Sequence, residues 1–255
     1  MGQSWDLLKV LTRRTVRARY RGSSLGIYWS LLGPLLTTVA YTAIFGRVFA
    51  KYYGGSLFLY AVGVFVGLTV ANFFVGSTAQ ALASVVVNGE LLNKMRLPMA
   101  LFPLSTIAAW TFQVAAGSLP FLLVLSIAIT RDPLHVLAVP LPFVALVLLS
   151  TGVGFFMSAL YVFFRDVPYM YDFVTFLAWS TTPVFYPAAI VPERIRAILE
   201  CNPLYPIVEG ARETVVAGSV LDPWMFAQAL GEGALVAVAG YAFFRALRPR
   251  FMDLI

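Results

Sequence analysis

Between Lys51 and Glu90 the chain carries no Asp, Glu, Lys, Arg or His. A helix needs about 20 mostly apolar residues to cross the hydrocarbon core of a bilayer, and this stretch supplies them with residues to spare. The pattern recurs. The intervals between Arg96 and Arg131, between His135 and Arg165, and the shorter one between Asp172 and Glu193 are equally free of charge. Residues 25–46 precede them, and residues 223–244 follow with Glu232 as the one interruption. Six spans are predicted: 27–49, 57–84, 99–130, 136–164, 173–188 and 223–244. The fold class is all-α integral membrane.

Composition agrees. Sixty per cent of the 255 residues are apolar and 12% are charged, where a soluble domain carries about a quarter charged residues. The mean hydropathy is +0.83. Asp132-Pro133 and Asp222-Pro223 each place a capping carboxylate before a proline at a first helical position, where a span should start. No repeat or low-complexity segment divides the chain, so one transmembrane domain is expected over 1–255. The first apolar run begins near Ile27, after a basic segment longer and more amphipathic than a signal n-region. The chain is therefore expected to keep its N-terminus.

Basic residues orient the spans, because Lys and Arg concentrate on the cytoplasmic side. With the N-terminus inside, twelve of the 18 cations fall on cytoplasmic segments and six, Arg212 among them, on the outer side. Both termini are expected in the cytoplasm, as an even number of spans requires.

Residues 4–21 precede the first span. At 100° per residue Lys9, Arg13, Arg17 and Arg21 make one stripe with Arg14 beside it, and Leu7, Leu8, Leu11 and Ala18 lie opposite. Val10 and Arg19 break the pattern. An interfacial amphipathic helix is predicted, its apolar face in the acyl boundary and its cations toward lipid phosphates; the alternative is a topology signal alone. The +6 net charge is not read as a nucleic-acid surface, since these cations adjoin a span.

The chemistry available is narrow. Cys201 and His135 are single residues of their kind, which excludes an intrachain disulfide and a cysteine-based metal site. No cluster of acids, His or metal ligands has the spacing an intramembrane enzyme needs, so no catalytic, cofactor or metal residues are assigned. Within the spans the polar residues are Asn72, Gln80, Gln113 and Glu232. A structural role is expected for Glu232, through interface water or a partner on a neighbouring helix. A gradient-driven transporter is the rival class; its repeated halves and mid-membrane ionisable groups are not evident. The sequence G-x-x-x-x-G-K-[ST] is absent, so no phosphate cradle of that type is present.

The run Arg19-Tyr20-Arg21-Gly22-Ser23-Ser24-Leu25-Gly26-Ile27-Tyr28-Trp29 with Gly33-Pro34 resembles the lead-in to the first span of type-2 ABC exporter permeases. Phe164-Arg165-Asp166-Val167, Thr182-Pro183-Val184-Phe185-Tyr186 and Asn202-Pro203-Leu204-Tyr205-Pro206 match in the family's order. The likeness is to the polysaccharide branch, the O-antigen, capsule and teichoic-acid exporters; export of a lipid or drug is the alternative within the class. The resemblance implies a permease of the bacterial inner membrane that pairs with a second copy of itself and with two separate ATPase subunits. Those subunits would bind ATP and Mg, and the cargo would be a lipid-diphosphate-linked glycan.

It also implies roles. Residues 88–98 would form the cytoplasmic coupling helix, with Leu91, Leu92 and Met95 filling a groove of the ATPase and Glu90, Lys94 and Arg96 pairing at its rim; an ordinary loop is the alternative. Asp166 is expected to cap span five or, with Arg165, to meet the ATPase. Residues 188–218 would hold two short re-entrant helices, 192–200 and 206–217, forming an outer gate; the alternative is a cap resting on the surface. Lys9, Arg13, Arg17 and Arg21 would meet the lipid phosphates. Tyr41, Phe45, Trp179 and Phe185 are the predicted channel lining, because an aromatic face stacks on sugar without binding any one hydroxyl; aromatic belts explain other Tyr and Trp.

Overall fold

The computed structural model describes residues 2–94, 97–216 and 221–253. In chain order the helices are α1 (Gly2–Arg19), α2 (Trp29–Phe49), α3 (Leu57–Val87), α4 (Gly89–Lys94), α5 (Leu101–Ala116) and α6 (Ser118–Thr130). There follow α7 (Pro133–Ala138), α8 (Pro140–Phe163), α9 (Val167–Thr181), α10 (Glu193–Glu200), α11 (Leu204–Val215) and α12 (Pro223–Leu247). No strand occurs among the described residues.

The central element is α3, capped where the Ser56 hydroxyl accepts the Leu59 N–H at 3.2 Å. It runs for 31 residues, about 46 Å at 1.5 Å per residue, and is met by α2, α5, α8, α9 and α11. Being enclosed, it is apolar all round rather than striped. The most extensive helix pair is α8 with α12. A Cβ at Gly240 would overlap the Gly152 carbonyl, and one at Gly152 the Val236 carbonyl. These glycines bring two backbones into contact, which is how helices associate where lipid removes the hydrophobic incentive.

The predicted caps form. Asp132 accepts the Leu134 N–H and Asp222 the Trp224 N–H, both at 2.9 Å. The Leu134 N–H, then the His135 side chain, holds the Asp132 carboxyl below its usual range. Asp166 does occupy the N-cap position of α9, but its side chain makes no capping bond.

Four predicted spans appear with altered detail. The third bends at Gly117 into α5 and α6. The fourth starts earlier, at Pro133, and breaks before Pro140, whose ring nitrogen has no proton for the ladder. The first gains short 3-10 turns at both ends, and the last matches closely.

The fifth span differs in kind. The interval 173–188 was expected to cross; instead α9 begins six residues earlier, at Val167, and stops at Thr181 after 15 residues. That is about 22 Å of helix against a hydrocarbon core of about 30 Å. Pro183 disfavours helical geometry in the residue before it, and Thr182 is extended. Among the described residues, five helical runs are long and apolar enough to cross a membrane, and α9 is not one of them.

The interface helix differs in what covers it. Leu11 is buried with Val85, Leu92, Phe102, Phe244 and Phe251, and Leu7 and Leu8 pack on the same cluster. Its apolar face therefore meets protein, chiefly α5, rather than acyl chains. Ala18, expected on that face, is exposed. Glu232 is held by Gln228 one turn earlier on its own helix, Nε2 to Oε1 at 2.9 Å, not by a neighbouring helix.

Candidate functional site

The basic stripe of α1 forms as the 3.6-residue period requires. Arg13, Arg17 and Arg21, with Arg14, line one open cavity of about 640 Å³. Lys9 shares an adjoining cavity of about 700 Å³ with Arg13 and Arg17, and is drawn 3.6 Å from Asp6 and 5.3 Å from the Trp5 ring. Arg19 turns the other way, into the bundle. Its Nη1 donates to Gln113 Oε1 at 2.5 Å and its Nη2 to Gln80 Oε1. Its guanidinium lies 4.1 Å from the Trp110 ring centroid, and Trp110 Nε1 donates to the same Gln80 oxygen at 3.0 Å.

The coupling segment folds as α4. Glu90 and Lys94 are exposed and lie 3.9 Å apart at i,i+4 spacing. Leu92 is buried in the cluster that holds Leu11 and Phe251, with Leu91 at its edge. Leu92 thus anchors α4 to its own chain, while Glu90, Lys94 and the partly buried Leu91 face outward. Met95 and Arg96 lie outside the described residues.

The re-entrant hairpin is built around two polar side chains. Asn202 closes its near end: Nδ2 donates to Ala178 O, Thr181 Oγ1 and Thr182 Oγ1 at 3.1, 3.0 and 2.9 Å, and Oδ1 accepts the Leu204 N–H at 3.0 Å. One amide thereby ties the end of α9 to the start of α11. This is why α11 begins at Leu204 rather than at the expected Pro206.

Arg212, expected among the outer cations, is 5% exposed. Its Nε donates to Gly63 O at 3.2 Å, its Nη2 to Val184 O at 2.6 Å and to Pro183 O, and its Nη1 to Glu209 at 2.7 Å. Carbonyls left by the break at Pro183 thus find donors without water. Irregular backbone at membrane depth survives only when protein or a cavity satisfies it. With Ile207 and Val208 buried, α11 is a core element, not a surface cap. By contrast α10 exposes Arg194 and Arg196. The side chains of Ile195 and Ile198, and the hairpin's end at 217–218, lie outside the described residues.

Tyr41, Phe45, Trp179 and Phe185 come together. Phe185 stacks on Tyr41 at 5.0 Å and on Phe45 at 5.6 Å, and Trp179 lies 5.9 Å away. The group sits on α3 through Tyr60, whose hydroxyl donates to Phe185 O at 2.9 Å. No group of three or more His, Cys, Asp or Glu capable of holding a metal occurs among the described residues.

An interface helix, a short helix between two spans and a buried hairpin before the last span are features of one covalent pattern, and a family model spans all three. The model of the ABC-2 type transporter matches residues 6–216. The chain belongs to the ABC-2 transporter family. Within that family it is 27% identical over 257 residues to the O-antigen export system permease protein RfbA of Klebsiella pneumoniae, covering 100% of this chain and 97% of that protein. It is 30% identical over 205 residues to the protein of the same name from Myxococcus xanthus, covering 79% of this chain and 77% of that one. As an ABC-2 permease component it is a multi-pass membrane protein of a transporter that works with an ATPase.

Two residues of this ABC-2 chain gained roles that sequence reading did not assign. Arg19 carried a signal, for it alone among the cations of α1 departs from the stripe. Arg212 carried one too, as a cation three residues from Glu209 in the short helix that follows Pro203.

Proposed function

We propose that this chain is the membrane-spanning permease of an ATP-driven exporter that moves a lipid-linked polysaccharide of O-antigen type out of the bacterial cytoplasm. The observation that carries the proposal is the family match over residues 6–216, which takes in α1, α4 and the hairpin on one bundle. The full-length likeness to O-antigen permeases supplies the cargo class. Two copies with two ATPase subunits would form the complex, α1 and α4 facing the cytoplasm of the inner membrane. The chain itself performs no hydrolysis.

In this reading the four-aromatic cluster lines the polymer's path, its rings stacking on sugars. The stripe Lys9, Arg13, Arg17 and Arg21 meets phosphates of the lipid carrier. The exposed side of α4, with Glu90, Leu91 and Lys94, docks on the ATPase, and Met95 and Arg96 continue that contact.

Docking is testable because Cys201 is the one cysteine. In a Cys201→Ser background, Leu91→Cys should crosslink to cysteines introduced on the membrane-facing surface of the co-expressed ATPase, and Leu235→Cys, exposed midway along α12, should not. An ATPase that fails to co-purify, or that crosslinks equally at both positions, contradicts the assignment of α4.

A further inference from the structure

A cavity of about 560 Å³ opens between α2, α3 and α5, lined by Arg19, Trp29, Asn72, Trp110 and Gln113 among others. Its polar side chain on α3 is the exposed Asn72; Gln80, eight residues and therefore about 12 Å further along the axis, lines the adjoining cavity of about 360 Å³ that also takes in Arg19. Between them lies Gly76, where a Cβ would overlap the Trp110 indole. Trp110 is thus pressed against α3 on one side and covered by the Arg19 guanidinium on the other. A bare amide such as that of Asn72 on the surface of an apolar span is costly unless water or a ligand meets it.

The charge balance is also incomplete. Arg19 has five N–H donors; two go to amide oxygens and the neighbouring Tyr20 hydroxyl takes another, and no carboxylate pairs with it among the described residues. Burial pulls the guanidinium below its ordinary value, though it stays charged. The Gln113 side chain is 1% exposed, and its Nε2 has no acceptor. Among the described residues the Asn72 side chain has no hydrogen-bond partner. A cation, unpaired N–H donors and a fixed indole platform converge on one cleft. What they lack is an anion with several acceptor oxygens.

We propose that this cleft is a binding site for a phosphate group, held by Arg19 and the Gln113 and Asn72 amides and distinct from the exposed stripe of α1. A phosphate offers the acceptor oxygens that both a guanidinium and amide N–H groups match. Because the exposed Asn72 lies at the edge of the cleft, an acyl or isoprenyl tail can stay in lipid while the headgroup enters. Identifying the carrier as the exporter's own lipid rests on the function proposed above; the phosphate site does not.

The test is equilibrium binding to the purified permease–ATPase complex in uncharged detergent. The probe is farnesyl diphosphate, with farnesol as control and inorganic phosphate and phosphatidylglycerol as competitors. Farnesyl diphosphate should bind at least tenfold more tightly than farnesol. Arg19→Gln should weaken it by about tenfold or more, and Asn72→Leu, which breaks no bond in the fold, should weaken it severalfold. Arg194→Gln, at an exposed cation of α10, should change it less than twofold. Competition by inorganic phosphate supports the site with a free anion as ligand; competition by phosphatidylglycerol alone supports it with a lipid phosphate. Equal binding of farnesol and farnesyl diphosphate, or wild-type binding by folded Asn72→Leu and Arg19→Gln, overturns the proposal. ATP-driven glycan transport is not part of this readout, so failure here leaves the exporter assignment standing.

Discussion

The α8–α12 seam and the α9–α11 hairpin solve the same problem by opposite means. Along the seam both helices keep their ladders, so no backbone group needs outside help, and glycines allow the two backbones to touch. In the hairpin the ladder stops at Thr181; Arg212 takes the Pro183 and Val184 carbonyls beyond the break, and Asn202 clasps the last turn of α9. The seam therefore depends on the absence of side chains, the hairpin on two particular ones. An element held by a few side-chain bonds has discrete ways to let go. A backbone seam does not.

Four substitutions sharpen the contrast, the largest effect first. Arg212→Met should cost about 3–5 kcal/mol, because Glu209 and three carbonyls lose their partner in a buried site; thermal unfolding in detergent measures it, and Arg212→Lys should recover part of the loss. Gly240→Leu should cost about 1–3 kcal/mol as the seam is forced apart, read by the same unfolding and by loss of a crosslink between cysteines flanking the contact. Asn202→Ala should cost about 1–3 kcal/mol and loosen the hairpin alone, so hydrogen exchange should rise in α10 and α11 while α8 and α12 stay protected. Asp222→Ala, removing the cap of α12, should cost about 1 kcal/mol. If Gly240→Leu loosened the hairpin more than Asn202→Ala did, the division between the two regions would fail.

These differences also show what the sequence could convey. Long charge-free intervals and Asp-Pro caps specify helices through local chemistry, so α2, α3, α8 and α12 were legible almost to their ends. The failure came at 173–188, where apolar composition satisfied the length rule but Pro183 ended the helix and a distant arginine made that ending tolerable. Gly63 and Arg212 are 149 positions apart, and no local pattern pairs them. Nor could composition say that Leu7, Leu8 and Leu11 face α5 rather than lipid, since the same leucines suit both solvents. The four aromatics, named as channel lining, meet on one face of α3 because α2 brings Tyr41 and Phe45, α9 brings Trp179 and the segment after Pro183 brings Phe185, while Leu92 turned inward because α4 is only one and a half turns long and must be anchored.

The central claim is that ATP hydrolysis by a partner drives a lipid-linked polysaccharide through this chain. The most direct measurement reconstitutes permease and ATPase in proteoliposomes of defined orientation, adds lipid-linked O-antigen to the leaflet facing the ATPase, and follows glycan reaching the opposite side. The account predicts ATP-dependent delivery, with hydrolysis stimulated by the glycan and delivery lost when the ATPase is omitted. Delivery that proceeds without the ATPase, or hydrolysis and transport indifferent to the glycan, would contradict it.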